Sequence, residues 1–188
     1  MAVSAKAYLA EGGMNKRKAG EDFYFLQKYL IKGELAEINT TAVYPSPRKS
    51  ERVPFGTGRA VKDHLEDRKD LKRSYSKKSF TLLRKFINAV EGSYPELPAI
   101  GHELKPFFTD LNWQVEWRKM MDQSKDLESF RKRFYQWFTP FKVLKLLHYL
   151  RDNHFANMPI EDAVNQLLGI EKENAFEQLK ELRRRDQF

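Results

Sequence analysis

The sequence predicts an all-α protein, a helical bundle of about six to eight helices with a basic, partly extended N-terminal arm. Three observations predict it. Apolar residues recur at helical spacing in five successive segments after residue 76. With 41% hydrophobic and 13% aromatic residues, the 188-residue chain can bury a real core, since each aromatic ring covers roughly 150–250 Å². The residues before that point carry a Pro- and Gly-containing stretch and little apolar surface, which marks them as an attachment.

Taken in order, residues 21–32 (EDFYFLQKYLIK) read as a helix with acids at its start, Lys at its end and Gly33 as its stop. Leu35 and residues 38–44 suit a short strand or an extended arm equally. Residues 45–58 hold three prolines and two glycines and read as a loop. Residues 59–73 form a polar helix whose only apolar positions of note are Val61, Leu65 and Leu71, a stripe too thin for firm docking. After Ser76, the residues Phe80, Leu82, Leu83, Phe86, Ile87, Ala89 and Val90 predict a buried helix that ends at Gly92. Residues 105–121 continue the helical pattern through Phe107, Phe108, Leu111, Val115 and Met120, with Trp113 and Trp117 four apart. In residues 126–138, Leu127, Phe130, Phe134 and Trp137 share a face. Thr139-Pro140 starts the next helix, because Thr caps the end and Pro at the first position has no amide hydrogen to leave unpaired. Helices over 160–168, closed by Gly169, and over 172–185 complete the chain. The expected division is residues 1–75, an N-terminal helix plus basic arm, and residues 76–188, the helical core.

The net charge is +8, and residues 44–90 carry a net +8 by themselves. The segments 1–22, 23–43, 91–138 and 139–188 stand at +1, 0, −1 and 0. A localised excess of this kind is an electrostatic footprint for a polyanion, whereas an even spread would serve solubility. The expected phosphate-binding residues are Arg48, Lys49, Arg52, Arg59, Arg68, Lys69, Lys72, Arg73, Lys77 and Lys78. Such groups bind nucleic-acid backbones because neutralising phosphates releases condensed counterions.

Other signals are weaker. Phe55-Gly-Thr-Gly-Arg59 lacks the preceding strand, third glycine and Lys-Ser/Thr of a phosphate-binding loop. Asp63, Glu66, Asp67 and Asp70 share a helix face, but His64, Arg68, Lys69, Lys72 and Arg73 interleave as on a salt-bridged surface helix. The histidines, His64, His102, His148 and His154, make no i, i+4 ligand pair, and no cysteine offers a thiolate, so neither a metal nor another cofactor is expected. Arg131 and Tyr135, four apart on the flank of their helix, form a possible stacking pair. Helices 160–168 and 172–185 have a helix-turn-helix outline, but Glu173, Glu177 and Glu181 would oppose phosphate.

The stretch WFTPFKVLKLLHYL, followed by IEDAVNQLLGIEKENAFEQLKELRRR, covers about a quarter of the chain. It resembles the C-terminal part of regulatory proteins carried by Bacteroides conjugative elements, which implies a mobile-element or phage context. The leading expectation is a non-catalytic nucleic-acid-binding protein, on DNA or RNA, acting as a regulator or a small subunit of a nucleoprotein assembly. The alternative is an assembly protein whose basic arm binds an acidic protein neighbour. An enzyme ranks third, since no nucleophile–base pair, metal spacing or cofactor loop stands out. Lys6 interrupts the first apolar residues and no long apolar run follows, so a cytoplasmic location without membrane contact is expected.

Overall fold

The computed structural model describes residues 2–16, 20–30, 32–36, 38, 40–41, 57–66, 72–172 and 174–186, apart from the side chains of Thr57, Arg59 and His64. Among the described residues there are ten α-helices and one two-stranded ribbon, so the chain is mostly helical. It divides into two compact units, Met1–Leu71 together with Arg185–Phe188, and Lys72–Arg184.

In the first unit, α1 (Ala5–Ala10) is opened by Ser4, whose hydroxyl accepts from the Ala7 amide. Residues this early carry no apolar period, and the helix was not expected. Helix α2 (Glu21–Leu30) buries Phe25 and Tyr29, and Phe25 packs on Tyr8 at 5.6 Å between ring centroids. The Tyr29 hydroxyl donates to the Ala7 carbonyl, and Lys28 Nζ donates to the carbonyls of Glu11 and Gly13, so α2 holds the end of α1 by polar contacts. Helix α3 (Thr57–Leu65) ends well before the expected limit at residue 73. Residues 67–71 lie outside the described residues, and Arg73 sits in a strand.

The second unit opens with that strand, β1 (Arg73–Ser74), paired antiparallel with β2 (Met158–Pro159) so that Arg73 faces Pro159 and Ser74 faces Met158. Helix α4 (Lys77–Ser93) follows at once, capped by the Ser76 hydroxyl on the Lys78 amide. The helical pattern over 105–121 resolves into two helices, α5 (Lys105–Asp110) and α6 (Trp113–Asp122). Between them Asn112 takes a left-handed conformation, φ 52°, which asparagine tolerates better than most residues. The break changes the helical phase: Trp113, Trp117 and Met120 turn inward and Val115 is left half exposed.

Helix α7 (Leu127–Trp137) begins with a reciprocal cap between Asp126 and Ser129. The Ser129 amide bonded to the Asp126 carboxylate holds that carboxyl below its usual range. Helix α8 (Pro140–Asn153) starts as expected from Thr139 with Pro140 at its first position. Helix α9 (Ile160–Leu168) stops at Gly169, φ 62°, and α10 (Ala175–Arg185) follows. The core of this unit is a continuous aromatic cluster. Phe86 stacks on Phe108 at 4.2 Å and also meets Trp113, Phe134 and Phe138. Leu146 and Leu150 of α8 close it, both fully buried.

Candidate nucleic-acid interface

Half of the ten expected phosphate-binding residues, Arg48, Lys49, Arg52, Arg68 and Lys69, lie outside the described residues, as does most of the 45–58 loop. Arg59 falls on α3. The remaining four, Lys72, Arg73, Lys77 and Lys78, are exposed and gathered where the β1–β2 ribbon runs into the first turn of α4. Two forces make this corner attractive to an anion. The side chains carry four positive charges within seven residues, and the positive end of the α4 dipole points the same way. For the helix itself, cations at that end are unfavourable, so local helix stability does not account for their placement.

The ribbon orders the corner. Ile160 donates its amide to the Lys72 carbonyl at 2.8 Å, and the Arg73 guanidinium donates to the Asn157 carbonyl. The Lys78 ammonium lies 5.8 Å from the centre of the Phe155 ring. Tyr75, between ribbon and helix, places its ring 6.0 Å from that of His148 on α8. Burial pushes the Tyr75 hydroxyl pKa up, against the opposing pull of nearby Arg151, so the ring stays neutral. Arg151 itself grips Asp152 through two bonds of 2.6 and 2.9 Å. His148 and Phe155 were not expected to join the basic block, because they adjoin it only through tertiary contacts, and Tyr75, which lies within it in sequence, was not singled out.

Arg131 and Tyr135, the possible stacking pair, converge on one carboxylate. Arg131 Nη2 donates to Glu91 Oε2 at 3.2 Å, and the Tyr135 hydroxyl donates to Glu91 Oε1 at 3.0 Å. Arg131 is exposed and Tyr135 half-buried, so the pair ties α7 to α4 as well as lining the surface. On α10, Lys180 pairs with Glu177 and Arg184 with Glu181, so at these pairs the cations of the helix-turn-helix outline already face carboxylates. Among the described residues no group of three or more His, Asp or Glu side chains is placed to hold a metal ion. Among them too, no helix is long and apolar enough to cross a membrane.

No family model matches the chain, and neither a curated protein nor a solved structure does.

Proposed function

We propose that this chain is a non-catalytic nucleic-acid-binding protein of the cytoplasm, a regulator or small subunit of a nucleoprotein assembly encoded by a phage or mobile element. Its 44–78 segment contacts phosphates while the helical units serve as scaffold. The observation that carries this reading is the charge distribution: the whole net excess lies in residues 44–90, and four of its cations, Lys72, Arg73, Lys77 and Lys78, share one exposed corner. Released counterions would supply most of the affinity, so binding should depend steeply on salt.

The test is fluorescence anisotropy of labelled DNA and RNA across a salt series. Four phosphate contacts through Lys72, Arg73, Lys77 and Lys78 correspond to a log–log slope of about −3.6 on duplex DNA and about −2.8 on single strands. Replacing all four by Glu should abolish most binding while the helical circular-dichroism spectrum is retained. Replacing Arg183, Arg184 and Arg185 should do much less. Absence of binding at low salt, or a defect confined to the C-terminal variant, overturns the reading.

A second reading, an assembly protein whose basic arm crosses an acidic neighbour, is favoured by exposed apolar side chains on α9 and α10. Phe176 is 62% exposed and Leu168 50%. A protein contact would cover such surface, whereas nucleic acid would leave most of it wet. Under that reading, oligonucleotide should leave trypsin cleavage at Arg48, Lys49 and Arg52 unchanged, and only the native protein neighbour should slow it.

A further inference from the structure

The two longest stretches of this chain without Asp or Glu are residues 71–90 and 129–151, and each contains six Lys or Arg. They are far apart in sequence, yet the second unit packs α4 against α8. The two helices run antiparallel. Phe86 of α4 meets Phe138, just before α8, at 5.4 Å, while Lys78 at the start of α4 lies over Phe155, just beyond the end of α8. The cations of both stretches therefore belong to neighbouring elements, with the acids that balance some of them, Glu91, Glu128 and Asp152, at their margins.

Helix α8 sends Leu146, Leu147 and Leu150 inward. At 3.6 residues per turn, Phe141, Lys145 and His148 then share the outer face as positions i, i+4 and i+7. That face is basic and aromatic together. The Lys145 ammonium is 4.9 Å from the Phe141 ring centre, and Tyr75 packs beside His148 at the other end. Alongside, Lys142 sits 3.9 Å over Trp137. Phe141 is 36% exposed and Lys145 is exposed as well. At about 1.5 Å per residue, Phe141 to His148 spans roughly 10 Å, the length of about three stacked nucleotides at roughly 3.4 Å each.

Resting on the nucleic-acid reading above, we propose that the outer face of α8, from Phe141 through Lys145 to His148 and Tyr75, is a stacking track for single-stranded nucleic acid. The chemistry selects the strand state. In a duplex each base face is covered by the next base pair, so an exposed phenyl ring gains nothing from it. A single strand presents free base faces to aromatic rings while its phosphates meet the lysines, and the contact tolerates any base sequence. Asp152, one turn beyond His148, is already neutralised by Arg151, so the far end of the track does not repel phosphate.

The experiment compares a labelled oligothymidylate with its duplex on oligoadenylate, at low salt, using the full chain. Wild type should bind the single strand more tightly. Phe141→Ala should weaken single-strand binding by about 5- to 150-fold, the range for losing one base stack, without changing the salt slope. Lys145→Ala should instead reduce that slope by about 0.7. Phe141→Leu, which keeps apolar bulk and loses the ring, should resemble Phe141→Ala, and Phe176→Ala on α10 should bind as wild type. The track is overturned if the Phe141 variants bind as wild type, if Phe176→Ala is equally defective, or if the duplex binds as tightly. If binding needs Lys72, Arg73, Lys77 and Lys78 but not Phe141, the track alone falls. If wild type binds neither probe, the nucleic-acid reading falls with it.

Discussion

Removing the Glu91 carboxylate should loosen the joint between α4 and α7 by an amount that the structure lets one bound. Glu91 accepts from Arg131 at 3.2 Å and from the Tyr135 hydroxyl at 3.0 Å. The Arg131 and Glu91 side chains are 48% and 31% exposed, so solvent screens their attraction and the pair contributes about 0.2–1 kcal/mol. The hydroxyl–carboxylate bond is charge-assisted and sits against the half-buried ring, and contributes about 1.5 kcal/mol. Glu91→Ala should therefore cost about 1.5–2.5 kcal/mol in urea unfolding, with the midpoint lowered and the denaturant slope unchanged. In Tyr135→Phe the further cost of Glu91→Ala should shrink to the ion-pair share, because the two changes remove the same bond. The joint also has a pH signature. Burial, then the hydrogen bond to Glu91 and its charge, raise the Tyr135 pKa above its ordinary value. A group whose folded pKa is raised contributes stability that is complete below its unfolded value, about 10 for tyrosine, and is lost as pH rises through the folded value. Ultraviolet titration of phenolate should find Tyr135 ionising at lower pH in Glu91→Ala than in wild type, though still held up by burial. A stability change below about 0.5 kcal/mol together with an unshifted Tyr135 titration would refute the joint.

Phe134 is fully buried among Phe86, Trp113, Phe130 and Phe138, so Phe134→Ala should cost about 3–5 kcal/mol in chemical denaturation and weaken the near-ultraviolet circular dichroism. Gly169 takes φ 62° with nothing within 4 Å of where a Cβ would stand. Gly169→Ala should therefore lower stability by about 1–2 kcal/mol through backbone conformation alone, and Gly169→Asn by less.

The starts of α4, α7 and α8 were legible because their chemistry is local. Ser76, Asp126 and Thr139 each satisfy an amide two or three residues on, and Gly169 ends α9 by its own conformation. The split between α5 and α6 was harder. The apolar pattern over 105–121 is continuous, and only the burial of Trp113 against Phe86 and Phe108 fixes the phase on either side of Asn112. Asn in the left-handed region is a known tendency, and it was the one local signal for that break. The ribbon gave no signal at all, since two-residue strands have no period to read.

For the candidate site the division is similar. Charge is a property of composition along the chain, so the sequence alone determined that residues 44–90 carry the net excess and that helices follow residue 76. Only tertiary structure decided which groups stand beside that charge. It brought Tyr75 against His148 and Lys78 over Phe155, and it tied Arg131 and Tyr135 to a single carboxylate on α4. The physical reason is range. Capping and helical periodicity act within about four residues, where sequence spacing is spatial spacing. The packing of α4 on α8 acts across dozens of residues, and it depends on the volume and shape of the aromatic core that both helices bury.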